Sequence, residues 1–358
     1  MRGRIVGEIP TIKTPPKNTN GSFAGLKDGR LLFAYSQSMV STIEGYIAFM
    51  VSEDQGVTWK PARAVIRPES IDGALTLNDV SLLRLFDGKL AVFYSVLRSA
   101  GDLCMYMSVS GDEGETWSKG RRCTPRNGYF ITNNDRVVRL SSGRLLFPSA
   151  YHSSSEASMF SERADDARDI NYSAIAHFIY SDDDGETWQM ARNSVAINIP
   201  CTESGLQEPG VVELTPGILW GFARTDLGRH YEFFSIDNGD SWTQAEPSRF
   251  TGPCSPLCIR RAPDSGWLIA VWNPVPGYIS QERDLPKSGR FRLVYAVSRD
   301  NGATWSEPCI LEDAPRGEFT HTAIYFSAVG VVLSYDVTYT GITQRHMIRI
   351  RLIPYQDL

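Results

Sequence analysis

Ser181-Asp182-Asp183-Asp184-Gly185-Glu186-Thr187-Trp188 decides the fold, because its pattern, Ser-x-Asp-x-Gly-x-Thr/Ser-Trp, returns four more times. The other copies run from Ser52 to Trp59 (SEDQGVTW), Ser110 to Trp117 (SGDEGETW), Ser235 to Trp242 (SIDNGDSW) and Ser298 to Trp305 (SRDNGATW). Each follows a β-rich run such as Tyr46 to Val51 or Phe291 to Val297, so each reads as the turn of a hairpin. The Asp accepts hydrogen bonds from turn amides, the Gly supplies a positive φ, and the Trp lays a large apolar face over the sheet edge. This is structural chemistry. A calcium loop around Asp182-Asp183-Asp184-Gly185 lacks the downstream bidentate Glu such a loop requires.

Outward from these boxes a second signal repeats, in which two apolar strands flank a tight turn containing Gly. The turns are Asp28-Gly29, Asp87-Gly88, Ser142-Gly143, Pro216-Gly217, Ser265-Gly266 and Val329-Gly330. Together the two signals predict a four-stranded meander per unit, with the Gly turn between its first two strands and the Asp-box between its last two. Six units predict an all-β fold, a six-bladed β-propeller of four-stranded antiparallel blades forming one domain over residues 1–358. The last unit offers only three strands of its own, so the N-terminal run Arg4 to Ile9 is expected to supply the fourth and close the ring.

Hydrophobic residues at 42% and charged residues at 22% are ordinary for a globular chain and argue against disorder. A net charge of -5 provides no basic field for nucleic acid or an anionic membrane, yet leaves room for a local arginine cluster that holds a small anion. The N-terminus has no apolar signal region, which places the sequence as it stands in the cytoplasm, or outside it or in the periplasm if a leader has been removed. The six cysteines form no CxxC framework and read as buried reduced thiols. No cofactor or metal is called for: Asp135 and His152 lack metal-ligand spacing, and neither a GxSxG elbow nor a phosphate loop is present.

The Asp-boxes on this meander resemble the sialidase (neuraminidase) superfamily with BNR repeats, over nearly the whole chain. That resemblance implies an arginine triad for a substrate carboxylate, a Tyr nucleophile assisted by Glu, and an Asp acid/base. Gln207-Glu208-Pro209-Gly210-Val211-Val212-Glu213-Leu214, followed by Arg224, looks like the family's Glu-bearing strand and the Arg ending the next strand. Elsewhere the chain departs from the pattern. Asn20 to Gly25 carries no first-triad Arg, Phe319 stands where the Tyr is expected, and the acid/base loop offers Glu44.

Propeller topology supplies an independent set of candidates, because residues just before each first strand and just after each second strand gather at one mouth. The first group is Asn78-Asp79, Asn133-Asn134-Asp135-Arg136, Gln207-Glu208, Ser255 and Thr320-His321. The second is Tyr35-Ser36-Gln37, Arg98, Tyr151-His152, Arg224-Thr225-Asp226, Asn273 and Tyr335-Asp336. Such a ring suits recognition of, and proton transfer on, a hydroxylated and acidic sugar. Glu208 reads either as a site carboxylate or as the partner of Arg224 between units. Arg136 and Arg224 read as a bidentate carboxylate clamp or as structural ion pairs. His321 is a general acid or base or a hydrogen-bonded structural histidine. Asp79 is catalytic or a strand cap, Glu44 an acid or a solvated loop residue, and Tyr335 a nucleophile, a stacking platform or a core residue. Asn78, Asn134, Asp135, Gln207, Tyr151, His152 and Asn273 complete the expected substrate-binding ring.

The expectation is an exo-acting glycoside hydrolase removing a terminal acidic sugar from a glycan, with Glu208, Asp79, His321, Tyr335 and Glu44 as catalytic candidates. A uronate-directed polysaccharide lyase and a non-catalytic glycan-binding propeller are the competing readings. Sugar, linkage and oligomeric state are not legible.

Overall fold

The computed structural model describes residues 2–10, 18–38, 45–154, 170–275, 289–314, 316–339 and 345–358. It is an all-β arrangement of antiparallel meanders, numbered here one to six in chain order. Meander one orders Asn18–Gly25, Leu31–Ser38, Gly45–Ser52 and Arg63–Ile66. Meanders two (Thr76–Arg84, Leu90–Ser99, Asp102–Ser110, Arg121–Arg122) and three (Val138–Arg139, Leu145–His152, Ile175–Ser181, Gln189–Met190) share one nine-stranded sheet through the short strand Tyr129–Ile131. Meander four runs Gln207–Thr215, Ile218–Arg224, Arg229–Ser235, Glu246–Thr251, and meander five Cys258–Arg261, Leu268–Trp272, Arg292–Ser298, Cys309–Asp313. Meander six is Gly317–Ser327, Gly330–Tyr339 and Arg345–Pro354, and its fourth strand is Arg4–Pro10, paired antiparallel with Arg345–Pro354.

Each Asp-box closes on itself in the same way. In the third, Ser181 Oγ donates to Asp183 (2.7 Å), the Gly185 amide donates back to Ser181 Oγ (2.8 Å), and Asp183 accepts both the amide and hydroxyl of Thr187 (2.8 and 2.6 Å). The Asp oxygens are therefore engaged within their own turn. The box residue before each Gly is left-handed, from Gln55 (φ 61°) to Asn301 (φ 56°). Four of the five tryptophans reach across to the preceding meander: Trp117 stacks on Phe49, Trp188 meets Phe93, Trp242 stacks on Phe178 at 3.9 Å and Trp305 packs on Trp220 and Phe250, whereas Trp59 packs on Phe23 and Phe33 of its own meander. Each box thus fixes its own hairpin, and four of the tryptophans bolt neighbouring meanders together through aromatic contact.

Contacts between first strands position the centre. Ser22 Oγ accepts from the Leu82 amide (2.9 Å) and donates to Asp135 (2.9 Å), while Asp135 also accepts from the Ile324 amide (3.2 Å) and pairs with Arg260 (3.0 Å). One carboxylate thereby ties strands of meanders one, three, five and six. All six cysteines are free; Cys104, Cys123 and Cys258 are buried, Cys254 and Cys309 are half-buried, and Cys201 is exposed, so the expected burial holds for three. Among the described residues, no helix is long and apolar enough to cross a membrane.

Candidate active site

First strands carry a second set of left-handed residues. Asn20 (φ 64°), Asp79 (φ 49°), Glu208 (φ 46°) and His321 (φ 54°) sit on the first strands of meanders one, two, four and six, and Asp135 (φ 56°) on the turn just before Val138–Arg139 of meander three. In four of these the pairing register slips at that point, between Thr19 and Ser22, Asn78 and Ser81, Gln207 and Gly210, and Thr320 and Ala323. A left-handed residue without glycine costs about 1–2 kcal/mol, and such conformations gather where a side chain must be aimed. Here the bulge turns the side chain out of the sheet, toward the space between the first strands.

Four of the five converge. Asn20 Nδ2 donates to Asp79 Oδ1 at 2.6 Å, and the Asn20 amide donates to Asp336 Oδ1 at 3.2 Å. His321 Nδ1 lies 3.1 Å from Asp336 Oδ2, and its Nε2 lies 3.8 Å from Glu208 Oε1. Arg224 Nη2 meets Glu208 Oε1 at 3.1 Å and donates to Gln207 Oε1 at 2.9 Å, and Asn133 Nδ2 donates to Glu208 Oε2 at 3.2 Å. Arg290 faces the same group: it donates to the Cys254 carbonyl (2.6 Å), and its charge acts on both Arg224 and Glu208.

These contacts push the ionisations apart. Burial raises the Asp79 carboxyl to about 7; His321 opposes the rise, and Glu208 and Asp336 reinforce it. Burial acts the same way on Glu208, but Arg224, His321 and Arg290 outweigh it and hold Glu208 well below the usual carboxylate range. For His321 burial favours the neutral ring, yet Asp336 and Glu208 together raise it to about 9, so the imidazole is a cation at neutral pH. The Arg290 guanidinium is lowered by burial and then by Arg224, the mark of two like charges held side by side. Several buried polar atoms here have no protein partner, namely Asn20 Oδ1, Arg224 Nε, His152 Nε2 and Thr320 Oγ1.

Glu208, Asp79, His321, Arg224 and Gln207 are thus brought together, with Asn78 half-buried beside Asp79. His152 stands near, within electrostatic reach of Arg224 and Glu208. Other candidates lie elsewhere. Tyr335, read as a nucleophile, a stacking platform or a core residue, is the last of these: it faces away from Asp336 into the core between meanders five and six, where its hydroxyl donates to Glu312 (2.5 Å) and accepts from Arg351 (2.9 Å). Adjacent strand residues point to opposite faces, and Asp336 takes the inward one. Arg136 is buried, donating to the Leu257 carbonyl (2.8 Å) with its guanidinium over Phe222, so it forms no clamp with Arg224. Asp135 is taken up by the tie described above. Asn134 Nδ2 bridges the Gly21 and His321 carbonyls (2.7 and 3.2 Å), and Asn273 accepts from Ser255 and donates to the Arg292 and Phe319 carbonyls (2.7 and 3.0 Å). Both asparagines hold backbone. Tyr151 packs with Phe130, His177 and Arg126. Glu44 lies outside the described residues.

Arg290 and Asn20 belong to the cluster without having been picked out as site residues. Arg290 precedes the third strand of its meander, and since second strands end beside the cluster, third strands begin there too; that rule would have found it. Asn20 occupies the first-strand position equivalent to Asp79.

Comparisons place this geometry in a class, the Asp-box folds built on sialidase-like meanders. The chain belongs to the BNR repeat-like domain family, whose model matches residues 47–333. It is similar to a crystal structure from Dyadobacter fermentans described as of unknown function, at 18% identity and a TM-score of 0.70, covering 98% of this chain and 99% of that one. The NanB sialidase of Streptococcus pneumoniae is similar at 12% identity and 0.69, covering 100% and 71%. The Trypanosoma rangeli sialidase in complex with sialic acid follows at 14% and 0.64, covering 99% and 58%. At these identities the likeness is one of fold.

Proposed function

We propose that the six meanders close into a single six-bladed propeller over residues 1–358, and that the cluster at its mouth is the active site of an exo-acting glycoside hydrolase removing a terminal acidic sugar from a glycan. The ring is supported by hydrogen bonds that cross the centre, from Asn20 to Asp336, from Asn134 to Gly21 and His321, and from Arg260 to Asp135. The chemistry rests on one observation: two carboxyls in one cluster whose surroundings drive their ionisations in opposite directions. Such a split assigns acid and base roles. Asp79, protonated up to about pH 7, gives its proton to the leaving oxygen. Glu208, ionised and aimed by Arg224, faces the positive charge that develops on the sugar ring. With Asp79 protonated, Arg224, Arg290 and His321 outnumber Glu208 and Asp336 by one charge, which favours a substrate bearing an anionic group.

The test is a mass-spectrometric screen of glycans with terminal sialic or uronic acids, run on the protein and on Glu208→Gln. Release of a terminal acidic sugar that falls about 100-fold or more in the variant is expected. Equal turnover by both, or no release from any acidic glycan, overturns the assignment. Asp79 ionises close enough to neutrality to serve as a base as well, which keeps a uronate lyase as the second reading. An unsaturated, ultraviolet-absorbing product identifies that outcome at once.

A further inference from the structure

The first strands that begin at the cluster end around a second cavity. First strands of all six meanders line it, and its volume is about 560 Å³, within the range of roughly 300–1,000 Å³ usual for small-molecule sites. Strand direction sets its place. Asp79, Glu208 and His321 precede the lining residues Leu82, Val211 and Ile324 on the same strands, so the cavity lies at the opposite end from the cluster. The ion pair of Asp135 with Arg260 stands at its inner end, and Arg139 and Pro263, both exposed, stand at its outer end.

Most of the wall is carbon. Leu82, Val137, Val211, Val212 and Ile324 are buried, and the half-buried Tyr325 and Phe326 add aromatic faces. Four arginines also line it, and three of them have a carboxylate for company. Arg84 pairs with Glu113 at 2.8 Å and Arg260 with Asp135 at 3.0 Å. Arg261 commits its donors to the carbonyls of Glu213, Leu214 and Gly266 and to Asn301 Oδ1, and it feels the charge of Glu213. The guanidinium of Arg139 has neither an ion pair nor a hydrogen-bond partner among the described residues. An apolar chamber with one uncompensated cation at its entrance fits an anion that carries an apolar body. A polyhydroxylated ligand would meet carbon on most sides, and an alkyl cation would meet arginine.

We propose that this cavity is a binding site for a medium-chain monocarboxylate, with the alkyl chain lying against Val137, Val212 and Ile324 and the carboxylate on Arg139. The site is independent of the hydrolase reading, because none of Asp79, Glu208, His321, Arg224 and Asp336 lines it.

Isothermal titration calorimetry with hexanoate, octanoate and octylamine tests it. Saturable binding of one octanoate per chain is expected. Each CH₂ buried in the chamber tightens binding about fourfold, so octanoate binds about 15-fold more tightly than hexanoate. Octylamine, with the same chain and the opposite charge, binds at least about tenfold more weakly than octanoate. Arg139→Gln removes the head-group partner and weakens octanoate roughly three- to tenfold; the side chain is exposed and holds nothing else, so the variant keeps its fold, which circular dichroism checks. Absence of saturable octanoate binding, equal affinity for hexanoate and octanoate, equal binding of octylamine, or an unchanged octanoate affinity in Arg139→Gln each overturns the site.

Discussion

Replacing Asp79 with Asn should stabilise the protein at alkaline pH while abolishing the hydrolysis proposed for it. In the fold the Asp79 carboxyl keeps its proton up to about pH 7, whereas in the unfolded chain it ionises near the ordinary aspartate value of 3.8. Between those two pH values the folded state binds the extra proton, so stability falls as pH rises. Each pH unit of that window removes roughly 1.4 kcal/mol, for a total of about 4 kcal/mol by pH 8. Asn is the uncharged shape mimic of the protonated acid and can still accept from Asn20 Nδ2. The variant should therefore match the parent at pH 4, gain roughly 1–2 kcal/mol at pH 5 and gain about 4 kcal/mol at pH 8. At the usual unfolding entropy per residue, the last figure corresponds to about 5 °C in Tm for a chain of 358 residues. Denaturant or thermal unfolding at the three pH values reads this directly. A stabilisation that does not change with pH, or a loss at pH 8, would show that Asp79 is not held protonated and would remove it as the acid.

Two further outcomes follow from the same contacts. The His321 imidazole should titrate by NMR near pH 9 and drop toward 6.5 in Asp336→Asn; because its folded pKa is raised, its contribution to stability is full below pH 6.5 and is lost as pH climbs through 9. Ser181→Ala removes the buried hydroxyl that links Asp183 to the Gly185 amide and should cost about 1–3 kcal/mol in denaturant unfolding, with specific activity of the folded fraction unchanged because the box lies on a turn remote from the cluster.

Much of this was written in the chain. The boxes and Gly turns gave strand order directly, and the shortage of strands after Thr320 called for the N-terminal partner that Arg4–Pro10 supplies. Convergence of Asp79, Glu208, Arg224 and His321 followed from strand direction alone. Which side chain of an adjacent pair turns inward did not. Between Asn78 and Ser81, or Thr320 and Ala323, one inserted residue resets the alternation, and nothing in composition marks that slip. On the unbroken second strand of meander six, alternation turns Asp336 toward the cluster and sends Tyr335 to the core, one of the places left open for it, and Asp135 serves as a tie rather than a ligand-facing group. For Arg136, left open between a clamp and a structural role, the outcome is structural, because a long cation has several reachable partners and here it takes the Leu257 carbonyl and the Phe222 face.

The left-handed bulge recurs with Asn, Asp, Glu and His at its tip, and those four residues differ in charge, length and acidity while sharing one backbone geometry. Each of these four first strands is therefore a standard socket, and the reagent plugged into it is set by a single codon. A scaffold of this kind can acquire a new chemistry by exchanging tips one at a time, leaving the boxes, the tryptophan bolts and the strand register undisturbed.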